Sequence, residues 1–194
     1  MKSLTLTALL VLALVFSGCS NLLNNDTTTT TTTTETTETS TETDSTGIAD
    51  GVVTGSNVNY SISYDTSKWT ATSAGVGEDA EYEFEHVDGD VYALIIPERI
   101  ELDYDTLKQI ALENAQAVAP DAQITMEENR TVNGVDVLAM KISGTLYGIA
   151  FEYYGYYYGG AAGTIQFITY TSQNLTSAYE GDLTELLNGL TITE

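Results

Sequence analysis

Residues Ile124 to Ser143 read ITMEENRTVNGVDVLAMKIS, with Asn133-Gly134 at the centre. An Asn-Gly pair between two strand-like runs is the strongest short hairpin signal, because both central residues of a type I′ turn need positive φ. The stretch therefore predicts two antiparallel strands, from about Ile124 to Val132 and from Val135 to Ser143. Everything on either side can be read as what completes a sheet around this hairpin.

Upstream, Leu107, Ile110, Ala111, Ala115 and Val118 recur at helical spacing, with Asp103 or Asp105 as N-cap and Pro120 just past the end. Before that helix, Glu81 to Val87 alternates with Tyr82, Phe84 and His86 on one face and Glu81, Glu83 and Glu85 on the other. Asp88-Gly89 is a turn signal, and Val91 to Ile96 returns as a strand apolar on both faces, expected to be central and covered from both sides. Earlier still, NVNYSISY (Asn57 to Tyr64) alternates as a half-buried strand, Asp65 to Lys68 reads as a turn, and Trp69 opens the next strand, where it is expected to be buried. Downstream, Ile149 to Tyr158 and Thr164 to Thr171 read as strands around a glycine-rich link. Ser177-Ala178-Tyr179-Glu180 has the form of a capping box opening a helix with Tyr179, Leu183, Leu186 and Leu187 on one face, stopped by Gly189.

Strands in hairpins with two amphipathic helices at separate places predict an α+β domain, a single antiparallel β-sheet with helices packed on it. This order resembles the PsbP-like family, named for the extrinsic lumenal subunit of photosystem II, which has many bacterial lipoprotein relatives. The resemblance is carried by YSISYDTSKW (Tyr60 to Trp69), TVNGVDV (Thr131 to Val137) and the run from TIQFITYTS to LLNGLTI (Thr164 to Ile192), and it covers most of residues 55–194. The proline that often precedes the tryptophan is absent, with Ser67-Lys68 in its place. What the resemblance implies is an α/β/α sandwich and accessory or assembly roles rather than catalysis.

The chain's single cysteine, Cys19, follows a short apolar run. Leu4 to Phe16 is 13 residues, apolar apart from Thr5 and Thr7. That is too short for a bilayer, which takes about 20 residues, but fits a secretory signal over residues 1–18. Phe16-Ser17-Gly18-Cys19 resembles the prokaryotic lipobox, which implies cleavage before Cys19 and acyl chains on it. Two or more such chains anchor stably, where one does not. Residues 26–46 hold 14 threonines, two serines and five acids with no apolar residue, so residues 19–50 are expected to be a lipidated cysteine and a disordered stalk spanning on the order of 30 Å. The expected location is a cell membrane or outer membrane, facing outside the cytoplasm, with residues 51–194 as one domain.

That domain has 22 acids against five bases, a net charge of −17. Such a surface repels phosphate backbones, so nucleic acid is a poor partner, while basic proteins, cations and neutral glycans remain. His86 is the only histidine, so any Ser-His-Asp arrangement must pass through it. His86, Asp88 and Asp90 form an i, i+2, i+4 candidate, with Glu85, for a divalent cation, which the PsbP-like resemblance implies is calcium or manganese, although Asp88-Gly89-Asp90 also suits a tight turn. Glu81, Glu83 and Glu85 could supply a glycosidase pair, but three in a row on a strand usually mark a solvated face. No cofactor motif is present.

The run FEYYGYYYGG (Phe151 to Gly160) packs five tyrosines into six residues. With Ile149 and Phe151 marking the core side, alternation turns Tyr153 and Tyr157 inward and Tyr154, Tyr156 and Tyr158 outward. These three form the candidate binding patch for an extracytoplasmic protein or glycan. The resulting expectation is a lipid-anchored, non-enzymatic binding or assembly module, with a cation-binding lipoprotein and then a glycan hydrolase as alternatives.

Overall fold

The structure, a computed structural model, describes residues 50–74 and 79–193. The signal segment, Cys19 and nearly all of the threonine-rich stretch lie outside the described residues. The chain runs β1 (Asp50–Thr54), β2 (Tyr60–Asp65), β3 (Trp69–Ser73), β4 (Tyr82–His86), β5 (Val91–Glu98) and α1 (Tyr104–Val118). It continues through β6 (Gln123–Val132), β7 (Val135–Leu146), β8 (Ile149–Gly160), β9 (Gly163–Ser172), α2 (Thr176–Asn188) and β10 (Leu190–Ile192).

The class is α+β, as the pattern predicts, but the strands form two sheets rather than one. Seven lie in the order β3-β4-β5-β9-β8-β7-β6 and three in the order β1-β2-β10, every neighbour antiparallel. The two strands without a sequence expectation, β1 and β10, are short, and both pair with β2. The Asn133-Gly134 turn has φ of 50° and 85°, the I′ geometry that the pair predicts. Asn133 Nδ2 also donates to the carbonyls of Asn188 at 2.9 Å and Leu190 at 2.8 Å, tying the β6–β7 hairpin to the end of α2.

One face of the large sheet carries Phe84, Tyr156, Phe167 and Ile165 under α2 and the small sheet, which contribute Leu183, Leu186, Leu187 and Ile62. Trp69, 2% exposed, belongs to this layer. The other face carries Leu138, Met140, Ile142 and Tyr157 under Leu107, Ala111 and Ala115 of α1. Asp103 caps α1 by accepting from the Thr106 amide at 2.8 Å. The expected capping box on α2 is not formed: the helix begins at Thr176 with no side-chain cap, because the Leu175 carbonyl already receives the amides of Ala178 and Tyr179. Gly189 stops α2 as expected.

Glu81 joins the sheets. Its carboxylate accepts from the Ser56 amide and the Tyr60 hydroxyl, each at 2.6 Å, while Tyr82 donates to the Thr54 carbonyl at 3.1 Å. Burial opposes the charge, but the bonds from Ser56 and Tyr60 outweigh it and hold the Glu81 carboxyl below its ordinary value. A depressed carboxylate stabilises the fold above its unfolded value and loses that contribution as pH falls through its folded one. Glu81→Gln should therefore be less stable than the native chain at pH 7 in urea unfolding, with the gap closing as pH drops below the ordinary glutamate range.

Glycine is required where α2 meets β2. The Ser63 amide donates to Gly189 O at 3.1 Å, and a Cβ at Gly189 would run into the Ser63 carbonyl. At Gly181, inside α2, a Cβ meets nothing within 4 Å. Gly181→Ala should raise stability by about 0.5–1 kcal/mol, whereas Gly189→Ala should lower it by more than that gain, both read from urea midpoints.

Candidate functional site

The tyrosine run does not lie where its alternation suggests. Tyr154, Tyr156 and Tyr158 are 3%, 0% and 3% exposed, so they are no surface patch. Alternation separates the two faces of β8 correctly, but this strand sits between β7 and β9 with a layer on each side. A central strand of a covered sheet has no solvent face.

Buried phenols need partners, and this layer supplies them. Arg130 Nη1 donates to Tyr154 Oη at 2.5 Å and to Tyr156 Oη at 3.1 Å, and Tyr156 Oη donates to Asn188 Oδ1 at 2.9 Å. Lys141 Nζ lies 5.2 Å from the Tyr154 ring centre and 3.2 Å from Glu152 Oε1. Burial pushes the Tyr154 hydroxyl well above the usual phenol range, so it stays neutral and can donate.

His86 is buried, edge-on to Trp69 at 5.0 Å and to Tyr179 at 5.1 Å. Its Nδ1 lies 3.6 Å from Asp88 Oδ2 and its Nε2 3.6 Å from Asp182 Oδ2, and Nε2 makes no hydrogen bond. Asp88 Oδ2 also accepts from Tyr179 at 3.0 Å. Asp90 takes no part in this contact set; its carbonyl accepts from Thr171 at 2.8 Å. Among the described residues no group of three or more His, Cys, Asp or Glu side chains could hold a metal ion.

A partly covered row of aromatic and aliphatic side chains lies on the sheet face that carries α1. Pairing sets Tyr92 beside Tyr170 and Tyr170 beside Tyr153 across β5, β9 and β8, with Leu94 beside Ile168 one row away. The expectation that β5 is covered on both sides holds at Ile96, which is buried, and only in part at Tyr92 and Leu94: α1 packs on β6, β7 and β8, and leaves Tyr92, Leu94, Ile168 and Tyr170 half-buried. Tyr92 and Tyr170 stack at 5.4 Å and 21°, and Tyr153 meets Tyr170 edge-on at 6.3 Å. Glu83 and Glu85 on β4 border this shelf and are exposed.

Burial, then Glu83, raises the Tyr170 hydroxyl; burial, then Glu85 and Asp90, raises that of Tyr92. Burial alone pushes Tyr153 up to about 12. All three rings are therefore neutral at physiological pH. Between the shelf and Ala111, Asn114 and Ala115 of α1 runs a narrow cleft of about 30 Å³, room for about one water. Gln166, 5% exposed, is among the residues that line it.

This arrangement is the PsbP fold. The solution structure of cyanobacterial PsbP (CyanoP) from Synechocystis sp. PCC 6803 superposes with a TM-score of 0.55 at 11% identity, over 78% of this chain and 98% of that one. Weaker likenesses are to a protein of unknown function, PA94, from Pseudomonas aeruginosa (TM-score 0.46, 7% identity, 75% of this chain and 98% of that one) and to LpqN, involved in cell envelope biogenesis of Mycobacterium tuberculosis (0.40, 10%, 75% and 83%). No protein-family model and no curated protein sequence matches the chain.

Burial of the tyrosine run has a measurable consequence. Tyr156→Ser should cost about 3–5 kcal/mol in urea unfolding, as emptying a buried aromatic site does. A surface tyrosine would cost under about 0.5 kcal/mol.

Proposed function

We propose that this chain is a membrane-tethered binding module that works outside the cytoplasm by holding a partner protein, not by catalysis. The observation that carries the binding reading is the open half of the large sheet, where Tyr92, Leu94, Ile168 and Tyr170 form a contiguous half-buried aromatic and aliphatic shelf. A contiguous, partly exposed row of aromatic and aliphatic side chains is the kind of surface a partner can cover. Tyrosine is enriched in such interfaces because its ring packs while its hydroxyl tolerates water. The tether reading is supported by the sequence: an apolar leader, Cys19 after Ser17-Gly18, and a threonine-rich stretch that cannot bury surface. A lipid and a flexible stalk raise the local concentration of a binding surface near a membrane. The accessory roles implied by the PsbP-like resemblance agree with binding.

The test places a photo-crosslinking side chain at Leu94 in the full-length chain expressed in cells, with Glu113 on the exposed side of α1 as control. Leu94 should give a discrete crosslinked protein that Glu113 does not. Cys19→Ser should release the chain from the membrane fraction and abolish incorporation of labelled fatty acid. Equal crosslinking from both positions, or none, overturns the binding face; a Ser variant that stays with membranes overturns the tether.

A further inference from the structure

We propose that the shelf takes an arginine side chain from an extended segment of the partner, with the guanidinium over the Tyr92–Tyr170 pair and facing Glu83, Glu85 and Asp90. This rests on the binding reading above and names the chemistry of its partner.

Three observations converge on it. The first is uncompensated charge. All five basic residues of the domain are engaged elsewhere: Lys68 with Asp182 and Glu185, Arg99 with Asn57, Lys108 with Glu127 and Asp105, Arg130 with Glu128 and two tyrosines, and Lys141 with Glu152. None is paired with Glu83, Glu85 or Asp90, so this end of the sheet has carboxylates and no cation of its own.

The second is the ring geometry. A stacked pair of neutral phenols beside carboxylates offers what a guanidinium takes: an aromatic face for its plane and acceptors for its edge. Lysine, a compact and strongly hydrated charge, makes less of the same site.

The third is Gln166, whose side chain lines the cleft. A side-chain amide there offers both a donor and an acceptor to a ligand backbone. Gln166 and Tyr170 lie four positions apart on β9, about 13 Å along a strand. An extended segment of four or five residues spans that distance, so the chain bearing the arginine can run along β9 as far as the mouth of the cleft while its side chain reaches the tyrosines.

The test is a titration of the isotope-labelled full-length chain with a pentapeptide carrying one arginine, against the same peptide with citrulline, the neutral isostere, and with lysine. The arginine peptide should shift amide resonances of β4, β5 and β9, and citrulline should abolish this. Leucine at both Tyr92 and Tyr170 keeps the apolar surface but should weaken binding about two- to fivefold, the range for one cation–π contact at a partly exposed site. Glu83→Gln with Glu85→Gln should weaken it more than Glu101→Gln with Glu113→Gln, which removes the same charge from other exposed positions.

Shifts spread evenly over the acidic surface, or equal losses from the two glutamine pairs, would reduce the effect to general attraction and overturn the proposal. No response to arginine together with a discrete Leu94 crosslink would sink the arginine assignment alone, leaving the binding face intact.

Discussion

The Arg130 guanidinium between Tyr154 and Tyr156 fixes how the two layers over β8 can be arranged. A strand with five tyrosines can be buried on both faces only if its hydroxyls are matched, since an unpaired buried polar group costs about 1–3 kcal/mol. Arg130 reaches two hydroxyls from β6, and Asn188 Oδ1 at the end of α2 accepts a hydrogen bond from the Tyr156 hydroxyl. Asn133, in the turn that β6 leads into, then holds the same end of α2 by the carbonyls of Asn188 and Leu190. The hairpin, the second helix and the last strand are thus located by one polar cluster at the edge of an otherwise apolar layer.

The opposite face is governed by width. Seven strands at about 4.8 Å spacing make a sheet on the order of 29 Å across, and one helix with its side chains covers about 10 Å. On the α2 side the three-stranded sheet supplies the missing cover. On the α1 side no equivalent layer stands among the described residues, and the alanines at positions 111, 115 and 119 draw the helix close over β6 to β8. The uncovered half then falls on β4, β5 and β9. The tyrosines and leucine there satisfy both demands on a half-covered row: enough apolar area to pack sideways on one another, enough polarity at the edge to meet water.

The fold was largely legible because its signals are local. Asn133-Gly134, Asp103 as a cap, Gly189 as a stop and the period-2 runs each act within a few residues, and each sits where its chemistry requires. What could not be read is what lies across space. Alternation told which tyrosines share a face but not which face a second layer would cover, so Tyr154, Tyr156 and Tyr158 looked outward when they are the better buried set. The same gap hid the open shelf. Tyr92, Leu94, Ile168 and Tyr170 come from strands more than 70 residues apart in sequence, and only the pairing of β5 with β9 brings them together. The small sheet is hidden for a related reason: β10 has only three residues, and the five of β1, DGVVT, do not alternate apolar with polar.

Charge distribution gives the shelf its sign. With a net of −17, the domain has far more acids than it can pair, and its five bases are used where they stabilise the fold: between α2 and the β2–β3 turn, across β6, and in the polar cluster under α2. Each base placed inside that framework is one fewer at the sheet's open end, so the concentration of cations in structural contacts leaves Glu83, Glu85 and Asp90 with their field undiminished. Carboxylates in water attract little on their own, because screening takes most of their interaction beyond about 8 Å at physiological salt. Beside neutral aromatic rings that exclude water from one side, the same charges act at short range and on a defined geometry. An acidic surface alone draws every cation; the tyrosine pair is what can make this one part of it selective.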